Sequence, residues 1–176
     1  MSNRFYQFGF KLQARLCVKG ALIGACLLQM ASASQAATAT STFTVQATIT
    51  ASCTINSALT LNFGSVGVLT AAVNQTSTVQ AQCTNTTPYN ISLDPGQGTG
   101  ATVAVRKMTS GANTVNYSLY SDSGHTVVWG NTVGTNTVAA TGNGAAQSYT
   151  VYGQVPAQTT PAPGTYTDTI TVTVTY

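Results

Sequence analysis

Strict alternation of apolar and polar side chains near both ends of the chain is the feature that most constrains its fold. Within Thr38–Ser52 the apolar residues occupy successive odd positions: Phe43, Val45, Ala47, Ile49 and Ala51. Hydroxyl and amide side chains fill the even positions between them. The last residues repeat the pattern, with threonines between the apolar positions Ile170, Val172, Val174 and Tyr176. Because side chains on a strand point alternately to opposite faces, both segments are predicted to be strands with one apolar face.

Shorter alternating segments lie between these two ends. Strands are predicted at 58–63, 76–83, 89–93, 101–108, 115–120, 127–129 and 148–155. Residues 130–144 are rich in Gly, Asn and Thr and predict a long surface loop. No apolar stripe of helical period occurs after residue 37. Many short strands separated by Gly, Asn and Pro turns favour an all-β antiparallel sandwich or barrel.

The first 36 residues have the parts of a secretory signal peptide. Basic residues extend to Lys19, an apolar run follows from Ala21 to Met30, and small residues continue to Ala37. Cleavage after Ala36 fits this order, with the small residues near Ala33 as the alternative site. A transmembrane anchor is the competing interpretation, but about ten apolar residues are too few when about twenty are needed. We therefore expect 1–36 to be removed and the protein to be exported through the periplasm to the cell surface.

Charge is scarce in the predicted mature chain and excludes one class of partner. Two basic residues, Arg106 and Lys107, stand against Asp94, Asp122 and Asp168, which leaves a net charge of −1. Nucleic-acid affinity comes from clustered Lys and Arg, so nucleic acid is not expected as a partner.

The residues needed for catalysis are also scarce. The chain has one histidine, three aspartates and no glutamate. His125 lies near Asp122 and Ser123, but this SDSGH segment is typical of a polar turn between strands. We expect no enzyme activity, no cofactor and no metal site.

Two cysteines, Cys53 and Cys83, follow the predicted signal peptide. In an exported protein two cysteines most simply form one disulfide. A zinc site is the alternative, but His125 is the only other soft ligand and no CxxC or HxxxH spacing occurs. The sequence therefore predicts a disulfide between Cys53 and Cys83.

A set of short motifs resembles a known family. In chain order they are Arg106-Lys107-Met108, Asn116–Tyr120, Asp122, Trp129-Gly130, Tyr152-Gly153 and Gly164–Tyr176. Together they resemble the spore coat protein U domain family and, within it, the major rod subunits of archaic chaperone–usher pili of the Csu type. The resemblance covers essentially the whole predicted mature chain.

The resemblance implies an incomplete immunoglobulin-like antiparallel sandwich that lacks its final strand. The neighbouring subunit would supply that strand by donor-strand complementation, from an N-terminal extension at 37–50 that precedes a pilin domain at 51–176. Donor residues would be Phe43, Val45, Ala47 and Ile49, and the strand beside the acceptor groove would carry Ile170, Val172, Val174 and Tyr176. Implied partners are further copies of the chain, a periplasmic chaperone, an outer-membrane usher, and minor and tip pilins, in fibres that support attachment and biofilm formation.

The alternation is consistent with this interpretation but leaves alternatives. A sandwich that ends on a regular strand with no successor exposes a sheet edge, which natural sheets normally cover. An amphipathic strand at the other end of the chain could cover that edge in a neighbouring molecule. The alternatives are an ordinary first strand of a complete monomeric sandwich, a pilus tip adhesin, and a structural protein of a spore or cyst coat.

Overall fold

The computed structural model describes residues 35–176. The predicted signal peptide at 1–36 lies outside this range except for its last two residues. Residues 35–45 form no strand, and their side chains are exposed. All strands belong to the unit that extends from Gln46 to Tyr176. No helix among residues 35–176 is long and apolar enough to cross a membrane.

Eight strands build the fold of the part of the chain that the structure describes. Their bounds are β1 Cys53–Ala58, β2 Val73–Cys83, β3 Pro88–Leu93, β4 Arg106–Ser110, β5 Asn113–Tyr120, β6 Val138–Thr141, β7 Ala146–Val155 and β8 Val172–Thr175. They form a five-stranded sheet in the order β1-β2-β7-β5-β4 and a three-stranded sheet in the order β6-β3-β8. Every strand pairing is antiparallel.

The β2–β7 pair is the backbone of the larger sheet. Its register is unbroken from Val73 opposite Val155 to Gln82 opposite Ala146. In β7, Val151, Gly153 and Val155 are buried, whereas the residues between them are partly exposed. This alternation is the period-two pattern of a sheet with one face against the core and one toward water.

β8 is an edge strand of the smaller sheet. It pairs with β3 on one side, with Val172 opposite Leu93 and Val174 opposite Ile91. On its other side it has no strand neighbour within residues 35–176. The smaller sheet therefore ends on a strand whose outer backbone groups are free to pair.

Side chains from both sheets form one core cluster. Its buried members are Leu69, Val79, Ala81, Cys83, Tyr89, Ile91, Leu93, Val115, Tyr117, Leu119, Trp129, Val151 and Val155. Two antiparallel sheets around one core confirm the predicted all-β fold class, an immunoglobulin-like sandwich.

Four internal strands were predicted near their observed places. The segments 76–83, 89–93, 115–120 and 148–155 correspond to β2, β3, β5 and β7, each of which begins slightly earlier in the structure. The predicted strand at 101–108 is shifted, because β4 starts at Arg106 and ends at Ser110.

Other predicted elements were wrong. Residues 59–63 form no strand, although Leu61 and Phe63 turn toward the core as the alternation requires. Val128 forms only an isolated bridge with Tyr120. The predicted loop at 130–144 contains β6, which pairs with β3. In each case the neighbouring backbone, which local alternation does not specify, decided whether a ladder formed.

Candidate functional site

A cleft of about 980 Å³ opens along the sandwich between two stretches of chain. We call residues 58–69 the first wall and residues 160–172 the second wall; both line the cleft. Its floor consists mostly of core side chains: Val79, Leu93, Met108, Val115, Tyr117, Leu119, Val151 and Val155. A long cleft with an apolar floor is suited to an extended apolar ligand.

The first wall is held to the sandwich near its two ends. The backbone N–H of Leu59 donates to the Thr78 carbonyl at 3.0 Å. At the other end the N–H of Leu69 donates to Thr160 Oγ1 at 2.8 Å, and the Leu69 carbonyl accepts from the N–H of Gln158 at 3.0 Å. Between these points the wall carries no strand and exposes Val68 by 73%. Between its two ends the wall therefore forms no strand ladder with a neighbouring segment.

Asp168 fixes the second wall. Its carboxylate accepts from the Tyr117 hydroxyl at 2.7 Å and from the backbone N–H of Gln97 at 2.8 Å. One residue earlier, Thr167 and Thr109 exchange two backbone hydrogen bonds. Burial, together with the hydrogen bond to Asp168, raises the pKa of Tyr117, so its hydroxyl stays protonated and continues to donate.

Asp94 holds the chain just before β8. Its Oδ1 atom accepts from the backbone N–H of Thr171 at 2.9 Å and from that of Gly96 at 3.1 Å. The two aspartates thus secure the second wall near Thr171 and Asp168, and both carboxylates are occupied by donors within the chain.

Arg106 supports the sandwich beneath the cleft and has a structural role. Its guanidinium is fully buried and donates to the carbonyls of Asp94, Val103, Leu93 and Trp129, at 2.8 to 3.1 Å. Burial lowers its pKa. Because these four carbonyls use its donors, Arg106 is not available to bind an anionic ligand.

The predicted donor residues lie on the surface. Phe43 is 87% exposed, Val45 83% and Ile49 83%, and Ala47 is exposed as well. Large apolar side chains exposed to this extent in one short segment are typical of an interaction site. All residues that line the cleft fall between Ala58 and Val172.

The predicted acceptor residues divide into two pairs. Ile170 and Val172 line the cleft. Val174 packs against the core but is not among the lining residues, and Tyr176 lies beyond the end of β8 with 59% exposure. The structure therefore brings the first two residues of the predicted set to the cleft and places the last two elsewhere.

The predicted disulfide is present and joins the first strand to the second. Cys53 and Cys83 are directly opposite in the β1–β2 register, with Cα atoms 4.1 Å apart. The bond closes a loop across a sequence separation of 30 residues. It links the start of β1 to the end of β2.

The His125 segment is a turn, as the sequence predicts. The Asp122 carboxylate accepts from the N–H of Val127 at 2.7 Å and from the N–H and hydroxyl of Thr126. These donors, the Val127 N–H first, lower the pKa of Asp122. Within residues 35–176, no three His, Cys, Asp or Glu side chains are grouped so as to hold a metal ion.

Neither the first wall nor most of the floor was predicted from the sequence to be functional. The floor could have been found, because Val115, Tyr117 and Leu119 alternate with polar residues in β5. The first wall could not, because its alternation resembles that of an ordinary strand and only the packing shows that its backbone is unpaired.

Three comparisons with known proteins bear on this geometry. The model of the Spore Coat Protein U domain matches residues 39–173. Protein U of Myxococcus xanthus is 36% identical over 107 residues, which cover 57% of this chain and 59% of that protein. The chain thus spans about three-fifths of that relative.

One solved structure shares the fold across most of the chain. It is the CsuC–CsuE chaperone–tip adhesion subunit pre-assembly complex from archaic chaperone–usher Csu pili of Acinetobacter baumannii. The alignment has a TM-score of 0.54 and 28% identity, and covers 73% of this chain and 40% of that one. The E. coli Hda pilus minor tip subunit HdaB aligns with a TM-score of 0.37 and 19% identity over 70% of this chain and 79% of that one, too distant to support an inference.

The family match includes residues 39–52, Cys53 and Cys83, both cleft walls and the first two residues of β8. On the basis of this match over most of its length, the chain belongs to the Spore Coat Protein U domain family.

Proposed function

We propose that the chain is a structural subunit of a chaperone–usher pilus and polymerises head to tail by donor-strand complementation. The extension at 37–50 of one copy lies in the cleft of the next copy, whose pilin domain is 51–176. The observation that carries this proposal is the cleft with an apolar floor, which reaches β8 at Val172, together with the unpaired edge of that strand. The exposed side chains of Phe43, Val45 and Ile49 provide the ligand that such a cleft requires.

The energetics of this insertion are favourable. A strand laid along β8 adds a ladder of main-chain hydrogen bonds, and the side chains on one of its faces reach the floor. Full burial of Phe43, Val45 and Ile49 contributes about 1.5 to 3 kcal/mol each, and Ala47 less. The hydroxyl and amide side chains on the opposite face of the segment stay in water.

The topology of the contact makes a fibre. The donated segment and the cleft are different surfaces of the same chain, so the contact is heterologous and does not close on itself. Each added copy leaves one free segment and one open cleft. Repetition gives an open filament of rod subunits.

Before assembly, an open cleft is an aggregation hazard in the periplasm. A periplasmic chaperone covers it there, an outer-membrane usher exports the growing fibre, and minor and tip pilins complete it. The solved complex of a chaperone with a tip subunit supports the chaperone step. The fibre carries no catalytic or metal function; it supports surface attachment and biofilm formation.

Two features favour a rod subunit over a tip adhesin. A terminal subunit needs a cleft but no donor segment, whereas this chain exposes an amphipathic segment before its first half-cystine. The family match also begins at residue 39 and so includes that segment. A spore or cyst coat protein is the second candidate, favoured by the identity with Protein U.

Moving the donor segment tests the proposal. In the test variant, residues 38–50 are removed from the N-terminus and copied after Tyr176 through a short turn. Because β8 ends the chain beside its own free edge, the copied segment can fold back as an antiparallel hairpin partner. We expect a cooperative, soluble monomer that forms no filaments and needs no chaperone.

The matched control carries the deletion without the copy. We expect this control to form a stable complex with a chaperone and to remain unable to extend a fibre. If the deleted chain instead folds alone into a stable monomer, the cleft needs no donor and the proposal is wrong. A deletion strain with normal pili would favour the coat-protein function.

A further inference from the structure

Gly153 lies in the interior of β7, where a glycine needs a reason. It is buried between Val151 and Val155 on the core face of the strand, opposite Gln75 in β2 and Leu119 in β5. Glycine weakens a strand interior, because it has no side chain to pack and loses more conformational freedom on folding. The Tyr152-Gly153 motif therefore calls for an explanation beyond strand formation.

Backbone conformation does not provide that explanation. Gly153 is not among the glycines with positive φ, so its backbone is one that other residues adopt. What the position lacks is space. A Cβ atom on residue 153 would lie 2.6 Å from Leu61 Cδ1, 2.9 Å from Leu61 Cδ2 and 3.1 Å from Phe63 Cζ.

Both crowding side chains belong to the first wall. Leu61 and Phe63 are the wall residues that turn toward the core, and the Phe63 ring meets the Tyr117 ring edge-on at 6.3 Å between centroids. A side chain at 153 would push against both at once. Relief comes from turning the Leu61 side chain away from β7 or from moving the wall outward between its attachments near Leu59 and Leu69, and either change weakens the packing of the wall on β7.

We propose that Gly153 positions the first wall of the cleft. Because Gly153 has no side chain, Leu61 and Phe63 can pack directly on β7, and this packing sets the distance between the two walls. This inference rests on the proposed function, because the distance matters only if a strand enters between the walls. Gly153 itself does not touch the donated strand. It acts through the wall that does.

The test compares Gly153→Ala with a matched change on the opposite face of β7. Thr150 is exposed there and does not line the cleft, so Thr150→Ala is the control. A third variant, Gly153→Ala with Leu61→Ala, removes the crowding methyls and is the rescue. A fourth carries Leu61→Ala alone, so that the coupling between the two positions can be calculated.

The readout is the release of a donor peptide. Each variant is made in the full chain carrying Phe43→Asp and Ile49→Asp, so that it cannot donate to its neighbours. The chain is refolded with a fluorescent synthetic peptide of residues 38–52, and dissociation is followed after an excess of unlabelled peptide is added. Amide hydrogen exchange is measured on the same complexes.

We expect Gly153→Ala to release the peptide faster by about tenfold, equivalent to about 1.4 kcal/mol, and Thr150→Ala to leave the rate unchanged. On the Leu61→Ala background, the Gly153→Ala change should alter the rate by less than about threefold, because the crowded atoms are gone. The amides of Leu59 and Leu69 should exchange faster in Gly153→Ala, whereas the β2–β7 ladder keeps its protection.

Two results would overturn the assignment. One is a release rate in Gly153→Ala equal to that in Thr150→Ala. The other is an increase in release rate on Gly153→Ala that is just as large when Leu61 is already Ala. That result would show that Gly153→Ala acts by disturbing β7 and not by displacing the wall. If the peptide fails to bind even with Gly153 present, the proposed function fails instead, and unchanged exchange at Leu59 and Leu69 would then refute the role of Gly153 separately.

Discussion

Residues 38–52 and residues 166–176 have the same sequence pattern but different surroundings. Both alternate apolar side chains with hydroxyl-bearing ones. In the first segment Phe43 and Ile49 are more than four-fifths exposed. In the second, Val172 and Val174 pack against the core from a strand paired with β3. Alternation thus specifies an apolar face but not the surface that covers it.

The second segment has contacts that fix its place. The Asp168 carboxylate accepts a hydrogen bond from the Tyr117 hydroxyl, and the Asp94 carboxylate accepts one from the backbone N–H of Thr171. Thr167 forms an isolated β-bridge with Thr109. Residues 35–49 have no hydrogen bonds of this kind among those the structure describes. Pairing with β3, packing against the core and these polar contacts together hold the second segment in place.

The largest expected effect comes from charging the apolar face of the first segment. Phe43→Asp with Ile49→Asp should abolish filaments, because a buried, unpaired carboxylate costs several kcal/mol. Electron microscopy of cells expressing the variant counts the fibres. The control places the same charges on the hydroxyl face, as Thr44→Asp with Thr48→Asp, and should retain filaments. Normal fibre numbers in the Phe43 and Ile49 variant would show that this segment has no buried partner.

Removing the disulfide tests the covalent link between β2 and β1, the strand that follows the first segment. Replacing Cys53 and Cys83 with Ser should lower the free energy of unfolding by about 3 to 4 kcal/mol, on the chain-entropy model for a loop of this length. Urea unfolding of the monomer with the transplanted donor measures it. A reductant should destabilise the original protein to a similar extent and leave the double-serine variant unchanged. Equal stability before and after reduction would contradict this expectation.

Arg106 supports β3, the strand that pairs with the second segment. Its guanidinium donates to the Leu93 carbonyl at the end of β3, the strand that pairs with β8. Arg106→Met leaves the buried carbonyls of Leu93 and Trp129 without donors. At about 1.5 kcal/mol for each of these two carbonyls, we expect a total loss of about 3 kcal/mol. The neighbouring change Lys107→Met should stay within about 0.5 kcal/mol in the same urea experiment. Similar losses in the two variants would refute the structural role of Arg106.

The Tyr117–Asp168 contact gives the smallest effect and a distinctive pH dependence. The pKa of Tyr117 is raised by folding, so its stabilising contribution is fully present below the unfolded value of 10.0 and is lost as the pH rises beyond it. Above that pH the unfolding free energy should fall by up to about 1.4 kcal/mol per pH unit. Tyr117→Phe should remove this part of the slope and cost about 1 kcal/mol at neutral pH. An unchanged alkaline slope would contradict the assignment.

Much of the fold could be predicted because its causes are local. Alternation in 76–83, 115–120 and 148–155 predicted β2, β5 and β7, because one face of each of these strands is buried. The pairing of Cys53 with Cys83 followed from there being two cysteines after the predicted signal peptide. The apolar face of the predicted donor segment was likewise evident from its residues.

The tertiary structure decided which backbones are neighbours. Leu61 and Phe63 occupy alternating positions as in a strand, yet their backbone forms no strand ladder. Their wall lines a cleft instead. Residues 138–141 lie in a stretch rich in Gly, Asn and Thr but form β6, because β3 offers them an edge. Arg106 becomes a core residue because four carbonyls converge on it. Side-chain periodicity is a local property, whereas a hydrogen-bond ladder, a cleft or a buried cation depends on segments that are distant in sequence.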